Sequence, residues 1–268
     1  MKKSMKKGDI LAGLDAGHVY TKAMIMRGQE ILAHGKEPTG FDVVAAAQTA
    51  LHRALDDVGI SRGELAGIVA TGIFRDMTKV PPLGITRTVA EHVADAKGAL
   101  FLNKHSRTVI VIGGNIHKAI RYDQNGNTLD VIQNDKCADG LGIFYMTMAK
   151  AFGVGEQELS EFALESTKNV RIAIQCALSA ESDAIDLMCQ GVDIADVADA
   201  ITRFMAERVA AMCTTISLEK EIVVAGGLAK SKALIKHLTS LIKQDVCVLK
   251  LPEYLGAIGA VISYEDGK

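Results

Sequence analysis

A chain of 268 residues, nearly half of them apolar, is long enough for one large domain or two modest ones with real cores. A formal charge of -2 leaves no basic excess, which argues against nucleic acid or an acidic membrane surface as partner. The opening Met1-Lys2-Lys3-Ser4-Met5-Lys6-Lys7 looks like the charged start of a signal peptide. Asp15 and His18 break the apolar run after it, and no spanning segment occurs elsewhere, so a cytoplasmic location is expected. Five cysteines, odd in number and widely spaced, do not suit a disulfide framework.

In chain order, the alternation of apolar and polar residues predicts short strands at 10–14, 19–26 and 30–33, with turns at Gly17-His18 and Arg27-Gly28. A helix over 41–58, a strand over 66–70 ending in Thr71-Gly72, and a helix over 89–102 follow. Residues 108–133 then repeat the opening arrangement, with strands at 109–112, 118–122 and 128–132 and a hairpin turn at Asn125-Gly126. Superposing 14–23 on 110–119 aligns Gly17 with Gly113 and Lys22 with Lys118, while Asp15 falls on Val111. Beyond Asn134 the pattern is mainly helical to Ile216, including helices over 141–151 and 181–189. A strand at 222–224 runs into Ala225-Gly226-Gly227, followed by a helix over 230–242, a strand over 247–251 and a last helix carrying Gly256-Ala257-Ile258-Gly259-Ala260. With no Pro- or Ser-rich linker between the halves, the expectation is two lobes sharing a cleft: a first at 8–104, with the C-terminal helix 253–268 packing back on it, and a second at 105–252.

Glycine turns allow close backbone approach, and their clustered N–H groups bind anions. The turn carrying Asp15, Gly17, Thr21 and Lys22 could offer a carboxylate to magnesium and amides to phosphate oxygens, although any such turn alone is more often a tight hairpin. Cys137, in Asn134-Asp135-Lys136-Cys137-Ala138-Asp139-Gly140-Leu141-Gly142, and Cys176, in Ile174-Gln175-Cys176-Ala177-Leu178-Ser179-Ala180-Glu181, each precede a helical pattern. A helix N-terminus favours a thiolate, and two chains on a twofold axis would supply four thiols for an iron–sulfur cluster. The competing reading is two ordinary buried thiols, since free cysteine is among the most buried residue types. Cys189 and Cys213 fall in helical patterns and are expected in the core; Cys247 lies in a strand-like run.

Taken together, the glycine turns resemble the actin and sugar-kinase superfamily of ATPases, an α/β, duplicated, ribonuclease H-like fold with two lobes and a nucleotide cleft between them. Asn134 to Ala138 with Gly140 and Gly142, then Glu165-Ser166-Thr167-Lys168, Cys176, Ala180-Glu181-Ser182, Gly226-Gly227 and Gly256 to Ala260, resemble the activators of 2-hydroxyacyl-CoA dehydratases and the ATPase subunits of benzoyl-CoA reductases. That resemblance implies a homodimer with one 4Fe-4S cluster bridged by Cys137 and Cys176 of each subunit, the second lobe carrying the cluster-binding helices. It implies ATP/ADP with Mg2+ as nucleotide, a ferredoxin or flavodoxin as electron donor, and an acyl-CoA dehydratase or reductase as electron acceptor.

Carried over position by position, the resemblance makes Asp15 the catalytic carboxylate, with Gly17, His18, Thr21 and Lys22 in the first phosphate turn. Gly113 and Gly114 form the second, and Ala225 with Gly226 and Gly227 the adenosine region. Thr71-Gly72, Arg75 and Glu91 match family positions without an assigned step. His18 stands where a serine is usual. Val111 replaces an acidic residue, and Asn115-Ile116 a Gln-Asp pair; a valine neither holds metal-bound water nor moves a proton. Asp139 replaces a small residue; close to a cluster its negative charge would lower the reduction potential, but the favoured expectation is that it caps the helix that follows. Three functions follow: an ATP-dependent electron-transferring activator, a cluster-carrying subunit that has lost hydrolysis, and a small-molecule or acyl kinase. The kinase would need neither Cys137 nor Cys176.

Overall fold

A computed structural model of the chain describes residues 8–173 and 176–264. The expectations for Met1 to Lys7, for Ile174 and Gln175, and for 265–268 of the last helix lie outside the described residues. Contacts divide the described parts of the chain into two compact units, one made of Met1–His105, Tyr122–Thr128 and Tyr254–Lys268, the other of Ser106–Arg121 and Leu129–Glu253. Among the described residues no helix is long and apolar enough to cross a membrane.

The first unit holds strands β1 (Ile10–Ala16), β2 (Tyr20–Arg27), β3 (Glu30–Pro38), β4 (Leu65–Thr71) and the two-residue β5 (Arg87–Thr88), in the order β3-β2-β1-β4-β5. β1 pairs antiparallel with β2 and parallel with β4. Because side chains alternate along a strand, β1 is divided between two faces. Ala12 and Leu14 join the core made with helix α1 (Val43–Val58), which Asp42 caps by accepting the Ala45 amide at 2.9 Å. Phe41, expected inside that helix, lies ahead of the cap and is fully exposed. Gly13 and Asp15 face the other way, toward α8 (Leu255–Ile262), which also packs on α2 (Glu91–Leu102).

The second unit repeats this plan. Strands β6 (Thr108–Ile112), β7 (His117–Tyr122), β8 (Thr128–Gln133), β9 (Ile222–Ala225) and β10 (Val246–Val248) take the order β10-β9-β6-β7-β8, with β6 antiparallel to β7 and parallel to β9. The duplication read from 14–23 and 110–119 is therefore a duplication of sheet topology. Between β8 and β9 lie α3 (Leu141–Ala151), α4 (Glu156–Leu164), α5 (Ala177–Cys189) and α6 (Ile194–Cys213), and α7 (Lys232–Ile242) follows β9; Phe144, Met148, Phe204, Met205, Leu234 and Leu238 lie in their common core. Helix α5 starts four residues earlier than its apolar periodicity indicated, at Ala177. Cys213 is buried and its thiol is pushed up to about 12 by burial, but Cys189, expected in the core, is exposed at the last residue of α5, and Cys247 is exposed in β10. Cys189 belongs to the helical pattern without lying on its buried stripe.

Small residues set the helix spacings. A Cβ on Gly259 would lie 1.7 Å from the Ala94 carbonyl oxygen, and one on Gly13 2.0 Å from that of Ala257. The Gly256 to Ala260 run is thus a contact surface between α8, α2 and β1. In the second unit, His117 at the start of β7 is wholly buried. Neither ring nitrogen makes a hydrogen bond of good geometry among the described residues. Burial pushes its pKa down to about 4, against the opposing pull of the Asp139 carboxylate and the Ala138 backbone.

Gly259→Ala is expected to cost about 3 kcal/mol and to lower the melting temperature by roughly 6–12 °C. Gly155→Ala, where nothing lies within 4 Å of the added carbon, should change it little. His117 gives a pH signature. With its folded pKa near 4 and its unfolded value at 6.5, the unfolded chain binds the extra proton between those values, so stability falls as pH drops from about 6.5 to about 4. Denaturant titrations should show a loss of about 3 kcal/mol across that window that is absent from His117→Phe.

Candidate functional site

In the first unit, the carboxyl ends of the parallel strands β1 and β4 bring together Asp15, Gly17 and the Thr71-Gly72 pair. Asp15 lies opposite Lys22 in the β1–β2 register, and the ammonium sits 2.9 Å from Oδ2 with both side chains mostly buried. The pair holds a carboxylate and a cation ready beside a tight turn. Gly17 is required there because a Cβ would approach the Tyr20 carbonyl oxygen to 2.9 Å. Thr21 is wholly buried; its hydroxyl bonds that of Thr39 at 3.0 Å, and Thr39 donates to the Gly17 carbonyl at 2.7 Å. Thr21 thus braces the turn from inside. Thr39, 22 residues away from Gly17 in the chain, carried no sequence signal. His18 is exposed, its ring 5.2 Å from that of Phe74, whose amide donates to the Ala16 carbonyl at 3.0 Å. Arg75 donates to the Gly72 carbonyl at 3.1 Å.

The second unit copies the backbone of this turn and changes its chemistry. A Cβ on Gly113 would come within 2.6 Å of the Ile116 carbonyl oxygen, three residues on, as at Gly17. Gly72 and Gly226 end the equivalent strands β4 and β9 with φ of +92° and +93°, and a side chain on either would strike the backbone of β1 or β6. Yet Val111 occupies the register position of Asp15, opposite Lys118, so the second turn has glycine amides and no carboxylate. Gly114 follows Gly113 in the turn. The Gly226 amide donates to the Pro252 carbonyl at 2.8 Å, and Gly227 opens a 3-10 turn with free space beside its Cα.

The cysteines belong to the second unit as well. β8 runs through Asn134 into a 3-10 turn, Lys136–Ala138, capped by Asp135, whose carboxylate accepts the Ala138 amide at 3.1 Å. Cys137 is exposed in that turn, ahead of α3; Cys176 is half-buried at the N-cap of α5, which packs against the same turn. The Asn134 side chain accepts the His117 amide at 2.6 Å and donates to Asp139 at 2.8 Å. Asp139 therefore does not cap α3, which starts from Gly140 at φ +80° without a side-chain cap. Its carboxylate is held by the asparagine five residues back. The Gly140 amide donates to Asn115 O at 2.9 Å and that of Ile143 to Gly114 O at 3.0 Å, while a Cβ on Gly142 would lie 2.6 Å from Gly113 O. The segment after Cys137 and the second glycine turn are one hydrogen-bonded piece. Nearby in sequence, the Glu165-Ser166-Thr167-Lys168 run is anchored on Asp196, which accepts the Ser166 hydroxyl and the Thr167 and Lys168 amides, all at 2.9 Å; those bonds, the Lys168 amide foremost, hold its pKa below the usual value.

The residues fit the groups that such a site would take. Asp15 is a hard oxygen donor suited to magnesium, and Lys22 and the glycine amides suit phosphate. For a cluster, each chain offers the thiols of Cys137 and Cys176 on touching elements, and among the described residues no group of three His, Cys, Asp or Glu could hold a metal within one chain. A donor set of two thiols is half of a four-thiolate cluster site.

Comparison with known proteins places these observations. The activator of lactoyl-CoA dehydratase from Anaerotignum propionicum is 32% identical, over 94% of this chain and 96% of its own. The solved activator of the 2-hydroxyisocaproyl-CoA dehydratase from Clostridium difficile, with bound ADPNP, is 28% identical with a TM-score of 0.89, covering 96% of this chain and 94% of that one. A ROK family glucokinase from Streptomyces griseus, at 14% identity and a TM-score of 0.58 over 94% of this chain and 97% of its own, shares the fold alone. The BadF/BadG/BcrA/BcrD ATPase family model matches residues 12–263, and the chain belongs to that family.

Proposed function

We propose that this chain is an ATP-dependent activator that carries a 4Fe-4S cluster between two of its copies and delivers a low-potential electron to an acyl-CoA dehydratase or a benzoyl-CoA-reductase-type partner. The observation that carries the reading is the union of the Gly113–Ile116 turn with the Cys137 segment through the Gly140 and Ile143 amides. A phosphate drawn to the turn amides displaces a backbone that is bonded to the thiol-bearing segment. ATP-linked activation requires a physical path of this kind between two sites. The names of the relatives, activators of dehydratases, support the direction of the coupling.

In this reading Asp15 is the magnesium carboxylate, and Lys22 exchanges Asp15 for a phosphate oxygen when nucleotide arrives. Gly17 and Gly114 present amides to phosphate, Gly113 shapes the second turn with its own amide bonded to the Ile116 carbonyl at 3.2 Å, His18 borders the first turn, and Gly226 and Gly227 let adenosine lie close to the backbone. Cys137 and Cys176 hold the cluster with the same residues of a second copy. The cluster, when bound, supplies a one-electron carrier whose potential follows the charge, dipoles and solvation around it. Asp139, fixed by Asn134 two residues from Cys137, adds negative charge there and lowers that potential. A low-potential ferredoxin or flavodoxin suits the donor, in the cytoplasm.

Val111 favours a second reading, a cluster-bearing subunit that binds nucleotide without turning it over. In the β6–β7 register, where the first unit has a carboxylate beside its lysine, the second has an apolar side chain.

Protein purified without oxygen is expected to contain about four irons per dimer, and Cys137→Ser or Cys176→Ser to lose the iron and the dimer while still binding ADP. Phosphorylation of a small acceptor by either serine variant would instead return the chain to a kinase role. Hydrolysis measured for wild type and Val111→Asp separates the first two readings. A rise of about tenfold in the variant marks Val111 as limiting, and brisk wild-type turnover removes the second reading.

A further inference from the structure

Thr71 is the last residue of β4 and the direct register partner of Asp15 in the parallel β1–β4 pairing. Directly opposed residues leave a sheet on the same face, so the Thr71 side chain shares the α8 face with the Asp15 carboxylate, which lies against Gly256 of α8. Thr71 is 1% exposed, and its hydroxyl has no hydrogen-bond partner among the described residues. A buried hydroxyl left without a partner is a net cost to folding. The second unit shows that the fold does not need it: the equivalent register pair is Val111 with Ala225, wholly apolar. The duplicated sheet thus tolerates a small apolar residue here, and the first copy alone keeps an unsatisfied hydroxyl beside a carboxylate.

Among the described residues, the donor bonded to Asp15 Oδ2 is the Lys22 ammonium at 2.9 Å. We propose that Thr71 is the alternate donor to Asp15, a positioning residue whose hydroxyl turns to the carboxylate when Lys22 leaves it for a phosphate oxygen. The inference rests on the reading of Asp15 and Lys22 as the magnesium-nucleotide pair and names the group that takes over from Lys22. The hydrogen bond from Lys22 to Asp15 is broken, that from Thr71 Oγ1–H to Asp15 is formed, and the lysine proton stays on its nitrogen. The carboxylate remains ionised and fixed in direction through the exchange, and the hydroxyl gains the partner it lacks in the free protein.

The test is calorimetric binding of ADPNP, with and without magnesium, to wild type, Thr71→Val and Thr71→Ser, alongside the melting temperature of each free protein. Thr71→Val should weaken ADPNP binding by about tenfold, with magnesium and without it, because Lys22 leaves Asp15 for a phosphate oxygen in either case. Thr71→Ser should bind within about twofold of wild type. Free Thr71→Val should melt no lower than wild type, since the hydroxyl it removes bonds nothing. Equal ADPNP affinity in Thr71→Val and wild type overturns the role of Thr71 alone. A lowered melting temperature in Thr71→Val, or failure of Thr71→Ser to bind, shows a packing role and overturns it too. Wild type that binds no nucleotide at all overturns both this role and the reading on which it rests.

Discussion

Two backbone hydrogen bonds, from Gly140 to Asn115 and from Ile143 to Gly114, make the second glycine turn and the cysteine segment a single body. Their donors are amides of the α3 start that no side chain caps, so the carbonyls of the turn take the place of a cap. The exchange works because both sides are small: Gly142 lies where a Cβ would strike Gly113 and Gly114. The Asn134 side chain closes the other end, gripping the His117 amide and the Asp139 carboxylate. Through these bonds a displacement of residues 113–116 is passed to the start of α3, directly after the turn that carries Cys137. In the proposed activator this rigidity is the coupling itself, because packed elements shift between discrete arrangements and do not deform continuously.

Duplication explains why the two glycine turns look alike, and divergence explains why they cannot do the same work. Backbone requirements are kept in both copies, the close carbonyl at Gly17 and Gly113 and the positive φ at Gly72 and Gly226, and so is the lysine at 22 and 118. The carboxylate is kept in one. Asp15 with Thr71 in the first sheet stands against Val111 with Ala225 in the second. In the proposed reading the first copy carries the magnesium carboxylate, and the second is bonded to the segment that follows Cys137. A valine in place of an acid in the second turn then bears on hydrolysis without touching the hydrogen bonds that join that turn to Gly140 and Ile143.

Strands and helices with strong periodicity were legible to within a few residues, and α3 over 141–151 was legible to both ends, because Gly140 stops the preceding turn and the apolar stripe starts at once. What could not be read was set by contacts distant in sequence. Thr39 reaches Gly17 across 22 residues, and Asp196 reaches Ser166 across 30. Asp139 has the composition and the position of an N-cap, and Asn134 takes it away; no local pattern distinguishes the two outcomes. Cys189 shows the limit from the other side, since a helical period identifies a stripe but not the one or two residues at a helix end that fall off it. The short β5 has too few residues to carry any period.

The family run Gly256 to Ala260 joins stability to the site in one element. Gly259 lets α8 approach Ala94 closely enough that no Cβ fits, and Gly13 lets the same helix sit on β1. Gly256, one turn earlier, then lies with its Cα facing Asp15, where a Cβ would stand 3.2 Å from the carboxylate. The carboxylate is thus walled on one side by helix backbone and on another by Lys22, and its side chain keeps 15% of its surface open. Partial burial strengthens its interaction with any cation that reaches it, because fewer waters compete. It also leaves few groups able to replace a departing partner. A site built this tightly makes each polar atom within its walls matter, and among the described residues the buried hydroxyl of Thr71 is left without a hydrogen-bond partner.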